Sequence, residues 1–170
     1  MHKDMDALLH GLAGPDNGGD GEQAKAAIIA AWLKACGIKD LVHVDAPDSR
    51  VSSGVRPNLV ARIPGRTKRT LWLFGHMDVV PPGDLSAWQS DVEDNQQAIT
   101  SMLLLAEELQ QRHITPELSL GLVFMADEET GSTYGLEHVL TARSGLFSQD
   151  DLYIVPDAGS RQGDVIEVAE

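Results

Sequence analysis

His76, Asp78, Asp94, Glu128, Glu129 and Asp157 are the residues whose types and spacing point to chemistry. His76 and Asp78 close the apolar run Leu71-Trp-Leu-Phe-Gly-His-Met-Asp-Val-Val80, which reads as a buried strand. In extended backbone, residues two apart share a face, so the imidazole and the carboxylate can point at one spot. That pair can ligate a divalent metal, or the carboxylate can orient a ligating histidine through its other ring nitrogen. A buried histidine hydrogen-bonded to a neighbouring aspartate explains the pair equally well. Two later stretches, Val123 to Ser132 and Leu152 to Asp157, repeat the pattern of an apolar strand ending in acids. The repetition favours metal.

Convergence of Asp78, Asp94, Glu128, Glu129 and Asp157 would be costly without counter-charge. Two like charges about 4 Å apart repel by roughly 4 kcal/mol at an effective dielectric near 20. Divalent ions would relieve this directly. One histidine among several carboxylates suits Zn²⁺, with Co²⁺ or Mn²⁺ as alternatives. Adjacent residues cannot both aim along one bond direction, so of Glu128 and Glu129 one can ligate while the other acts as general base on an activated water. Each acid also has a plainer role open to it. Asp94 could cap a helix, the acids at 127–129 could decorate the start of the next one, and Asp157 could sit in a turn.

Composition bounds the class. The 170 residues, 42% hydrophobic, can bury a core, which excludes global disorder. A formal charge of −13 argues against nucleic acid and against anionic membrane surfaces as partners. Cys36 is the single cysteine, which rules out an internal disulfide and fits a reducing compartment. The first residues carry acids where a signal peptide carries bases, and no long apolar run follows. A cytoplasmic protein is expected.

The elements that must position these residues follow from periodicity. Met5 to Ala13 reads as a short helix and residues 14–21 as a Gly-rich loop. Glu22 to Cys36 is a helix with Ala24, Ala27, Ile28, Ala31 and Leu33 inward, and Glu22 suits its dipole. Leu41 to Val44, Pro57 to Ile63 and Thr70 to Phe74 are strands, the last two joined as a hairpin through Pro64-Gly65. A helix opened by Asp94-Asn-Gln-Gln carries Ile99, Met102, Leu103, Ala106 and Leu109 as its stripe. Leu118 to Met125 is a strand, Ser132 to Ala142 a helix with Tyr134, Val139 and Leu140 inward, and Leu152 to Val155 a buried strand. The order predicts an α/β fold, a mixed and mostly parallel central sheet flanked by helices. In such sheets ligands gather beyond the carboxyl ends of the strands, where the acids at 78, 127–129 and 157 fall.

Gly75-His-Met-Asp-Val-Val80, Glu93-Asp-Asn95, Asp127-Glu-Glu-Thr-Gly-Ser132 and Val155-Pro-Asp157 resemble, in order, the motifs of the co-catalytic zinc exopeptidases and amidohydrolases. That group includes acetylornithine deacetylase, succinyl-diaminopimelate desuccinylase, aminoacylase, glutamate carboxypeptidase and several di- and tripeptidases. Arg56-Pro-Asn-Leu-Val60 is similar to the segment preceding the family's histidine strand. The resemblance implies two Zn²⁺. His76 and Asp157 would ligate one ion, Glu129 the other, and Asp94 would bridge them. Glu128 would be the general base and Asp78 the partner that orients His76. A cis peptide after Asp94 is also implied. Peptidases of the family tend to carry Asp at the position of Asp157, which favours a small peptide over an N-acyl amino acid as substrate.

Two departures from the family pattern stand out. Asp91 runs almost directly into Glu93-Asp-Asn95, where the family has a longer stretch. The family also continues past the position of Glu170 into a dimerisation domain and the rest of the catalytic domain. Residues 1–170 therefore read as a single partial catalytic domain, with little turnover of its own, from a parent that is a homodimer. A metal-binding domain without catalysis is the second reading, and an acidic α/β module without metal the third.

Overall fold

The computed structural model describes residues 21–79 and 94–157. Helix α1 (Gly21–Ala35) leads into β1 (Asp40–His43), a ribbon of β2 (Ala46–Pro47) and β3 (Val55–Arg56), then β4 (Leu59–Ile63) and β5 (Thr70–His76). Helix α2 (Gln96–Gln111), β6 (Ser119–Met125), α3 (Leu136–Ala142), a 3₁₀ turn at Ser144–Leu146 and β7 (Leu152–Ile154) follow. The expected helix at 5–13, the loop at 14–20 and the junction at 80–93 lie outside the described residues.

Five strands form one sheet in the order β1-β4-β6-β5-β7. β5 runs parallel to both β6 and β7, while β4 is antiparallel to β1 and to β6. The sheet is mixed, as expected, with the two pairings in equal number. β5, α2 and β6 make a crossover unit that joins adjacent parallel strands, the arrangement read from the strand–helix–strand order. The predicted hairpin between β4 and β5 is not formed. β6 inserts between them and pairs with both, so the antiparallel character comes from β1–β4 and β4–β6. Placing β6 centrally lets a strand buried along its whole length have two neighbours.

Alternation along the strands divides the core into two layers. Leu59, Ala61, Leu120, Leu122 and Phe124 face α1 and α2, meeting Ile29, Leu33, Ile99, Met102 and Leu103. Val60, Trp72, Phe74, Val123 and Met125 face the other way, towards Val139 of α3 and Phe147. Fully burying such an aliphatic side chain contributes about 1.5–3 kcal/mol. The α1–α2 layer supplies several of them and α3 only Val139, so the first layer anchors the sheet. Gly121 lies opposite Trp72 in the β5–β6 register, and a Cβ there would fall 2.1 Å from the indole. The glycine makes room for that ring.

Three sequence expectations need correcting. The inward face of α1 is Glu22, Lys25, Ala26, Ile29, Ala30 and Leu33, while Ala24, Ala27 and Ala31 are exposed. Alanines all round the helix give little amphipathic contrast, and the larger Ile29 and Leu33 decide the face. Leu140 is exposed and Tyr134 lies in the turns before α3, which starts only at Leu136. β7, expected to be buried, has Leu152, Tyr153 and Ile154 all about half exposed, because it is the edge strand of the described sheet.

Candidate metal centre

β5, β6 and β7 are mutually parallel through β5, so their carboxyl ends lie along one edge of the sheet. His76 is the last residue of β5, the Asp127–Glu129 turn follows β6, and Asp157 follows β7. The start of α2 faces the same edge. There Asp94 precedes Asn95 across a cis peptide, as the family resemblance implied. Asn95, not Asp94, occupies the N-cap position of α2. Its Nδ2 donates to the Pro156 carbonyl at 2.9 Å and to Asp157 Oδ1 at 3.3 Å, tying the end of β7 to the head of the helix.

The predicted site residues come together around one imidazole. His76 is 2% exposed, and its two nitrogens face opposite ways. Nδ1 points at Asp78, 3.0 Å from its carbonyl and 3.4 Å from its carboxylate. Nε2 points at the acids: 3.1 Å to Asp94 Oδ1, 3.6 Å to Asp157 Oδ1 and 3.9 Å to Glu128 Oε2. Two triads can each bring one ligand atom apiece within 4.8 Å of the others: His76 with Glu128 and Asp157, and His76 with Asp94 and Glu129. The acids at 127–129 are well short of α3, so they are not decorations of its first turn.

Electrostatics show what the cluster favours. Burial pushes the carboxyls of Glu128, Glu129 and Asp94 above their usual range, and their acidic neighbours push further, Asp157 on Asp94 and on Glu128, Asp94 on Glu129. Burial pulls His76 down, but Asp78 and Glu128 outweigh it and raise the imidazole to about 9. Asp78 moves the other way. Against its own burial, hydrogen bonds from His76 and from the Glu129 and Glu128 amides hold it low. The chain thus gathers negative charge around a proton on His76. A divalent ion fits this donor set. Asp78 keeps the hydrogen on Nδ1, which leaves the Nε2 lone pair for a metal, and hard carboxylate oxygens surround it. Beside the imidazole lies a cavity of about 80 Å³, lined by the acids Glu128 and Asp157 together with the apolar Phe74, Met125 and Leu136.

Sequence reasoning missed a buried layer beneath these residues. Glu22, Lys25, Asp48, Arg56, Asn58 and Asp127 are each at most 7% exposed. From the sequence Glu22 reads only as a partner of the helix dipole. It instead accepts from Arg56 Nη1 at 2.8 Å and from the Asp127 amide at 3.1 Å. The Arg56-Pro-Asn58 segment was the one available signal.

Residues 72–167, more than half of the chain, match the description "Peptidase family M20/M25/M40". The chain belongs to this family. It is 37% identical to an uncharacterized metallohydrolase of Methanococcus maripaludis, over 92% of this chain and 42% of the relative. It is 33% identical to a succinyl-diaminopimelate desuccinylase of a Janthinobacterium species, over 68% of this chain and 35% of the relative. The fold resembles that of the M20 family metallo-carboxypeptidase Sso-CP2 from Sulfolobus solfataricus, with TM-score 0.72, 21% identity, and coverage of 96% of this chain and 39% of the other. Human carnosine dipeptidase 1 is similar at TM-score 0.68 and 18% identity, over 91% of this chain and 39% of the other. The chain spans less than half the length of the curated relatives it matches. Its match to the M. maripaludis protein runs over 182 positions against a chain of 170, so that relative holds residues this chain lacks within the matched span. Among the described residues no helix is long and apolar enough to cross a membrane.

Proposed function

We propose that the chain is the metal-holding part of a hydrolase that cleaves an amide bond next to a free carboxylate, in a small peptide or an N-acyl amino acid. The observation that carries this reading is the convergence of Asp94, Glu128 and Asp157 on Nε2 of a nearly buried His76 whose other nitrogen is held by Asp78. In this reading His76, Asp94 and Asp157 would hold one Zn²⁺, and Asp94 and Glu129 would hold a second, with Co²⁺ or Mn²⁺ able to replace either. Bound there, the ions supply Lewis acidity towards a water and the scissile carbonyl.

Glu128 then has the remaining chemical work. Its Oε2 stands within reach of the space in front of His76 Nε2, and burial with acidic neighbours keeps its carboxyl ready to hold a proton. Glu128 takes the proton from the attacking water and passes it to the leaving amine nitrogen. Asp78 fixes the imidazole, and Asn95 fixes Asp157. Aspartate at 157 inclines the reading to peptides, while the desuccinylase relative favours the alternative of an N-acyl substrate. We place residues 1–170 in one catalytic domain of a longer, homodimeric protein.

Titration with Co²⁺ and Zn²⁺, paired with hydrolysis assays on dipeptides and on N-acetyl and N-succinyl amino acids, tests this reading. Tight binding of a pair of ions is expected, with hydrolysis in a form of the protein as long as its relatives. Absence of stoichiometric metal in excess zinc would overturn it. Metal without hydrolysis in the longer form would point to a binding domain.

A further inference from the structure

The turn that carries Glu128 and Glu129 has no regular structure, yet its backbone is pinned from three sides. Asn58 Oδ1 accepts from the Ala126 amide at 3.0 Å, Glu22 Oε1 from Asp127 at 3.1 Å and Asp78 Oδ2 from Glu129 at 2.9 Å. Asp127 itself has φ +61°, a left-handed conformation that needs such support. Its carboxylate accepts from Thr130 Oγ1 and from the Tyr134 amide, closing the turn on itself.

One helical turn from Glu22, Lys25 reaches the other half of the site. It is 2% exposed, and its Nζ donates to the Met77 carbonyl at 2.7 Å, between His76 and Asp78. The first turns of α1 therefore touch both segments that bear the site. Arg56 locks this base in place, donating to Glu22 at 2.8 Å and to Asp48 at 2.9 Å, with Asp127 3.7 Å away. Burying charged groups is unfavourable unless each finds a partner, and here the partners are site backbone as well as counter-charges.

We propose that Glu22 and Lys25 are positioning residues that set the two halves of the metal centre against each other, with α1 as their common rigid base. Glu22 fixes the turn that aims Glu128 and Glu129, and Lys25 fixes the segment that aims His76. The inference rests on the reading of those residues as metal-site groups, but its mechanical part can be tested without metal.

A core ion cluster that only stabilised the fold would, when broken, speed exchange of the slow amides together through global unfolding. Positioning makes a different demand. In the metal-free 170-residue chain, Glu22→Ala should speed hydrogen exchange at the Asp127 amide. It should also do so at the Glu129 amide, which Glu22 does not touch, by about 10-fold or more relative to the strands. Glu22→Gln, which restores an acceptor, should recover most of that protection. In the same variants Co²⁺ affinity should fall by about 10–100-fold and the visible Co²⁺ spectrum should change, with Glu22→Gln nearer wild type. Lys25→Met keeps the volume, removes the donor to Met77, and should weaken Co²⁺ binding likewise; it decides the matter if Glu22→Ala does not fold. Unchanged exchange at Glu129 in folded Glu22→Ala, or a folded Lys25→Met with wild-type affinity and spectrum, would overturn the proposal. A wild-type chain that binds no Co²⁺ while the selective exchange holds overturns the metal reading and leaves the brace standing.

Discussion

The two nitrogens of His76 divide the work at the centre. Nδ1 is committed to Asp78, so any metal must take Nε2, and in the metal-free chain that nitrogen's proton persists to about 9. Zinc binding at neutral pH must therefore expel the proton from His76. Titration calorimetry in two buffers of different ionisation enthalpy should give heats that differ accordingly, and affinity should rise with pH until about 9. Buffer-independent heats would mean that His76 is not a ligand. Asp78→Asn removes the charge that orients the ring and weakens the hold on the Glu129 amide, and metal affinity by chelator competition should drop by about 10–100-fold. Glu128→Ala separates base from ligand, because the geometry places Glu128 in a triad with His76 and Asp157. As the base it should lose turnover in the longer form by about 10²–10⁴ with metal retained. A parallel loss of metal would make it a ligand.

The elements that present these residues were legible to different degrees, for local reasons. β5 and β6 could be read because each is one apolar run, and α2 because its stripe keeps the helical period. The His76–Asp78 pair was legible for the same reason, being two residues apart. Hidden were Glu22 and Lys25, whose partners lie 34, 52 and 105 positions away and leave no trace in a local pattern. The hairpin between β4 and β5 failed because strand order depends on the later β6, which competes for both edges. That competition is tied to a particular contact, Trp72 over Gly121 across the β5–β6 pair. Gly121→Ala should force the buried indole aside and destabilise the chain by about 1–3 kcal/mol, read from urea unfolding. A change within experimental error would show that the sheet can repack at no cost there.

Across the whole molecule the site's charge sets the pH at which the fold is most secure. Burial pushes the Glu22 carboxyl up to about 7 against the pull of Arg56, and His76 is held at about 9. Raised folded values favour the protonated forms. Their stabilising contribution is complete below the ordinary values of 4.5 and 6.5 and is lost as pH rises through about 7 and about 9. Asp94, Glu128 and Glu129, also raised, act in the same direction. Asp78 and Asp48 are lowered, so their contribution is present above 3.8 and is lost as pH falls. The chelated chain should therefore be most stable in mildly acidic solution and lose stability steadily towards pH 9. Metal replaces the proton as the neutralising charge, and a ligand that binds only the folded state stabilises by mass action. With saturating zinc the urea midpoint should rise most at the alkaline end, where chelation leaves the carboxylates unscreened. Equal zinc shifts at pH 6 and pH 9 would show that protons and zinc do not compete for the cluster, and that its charge is balanced by something other than a bound ion.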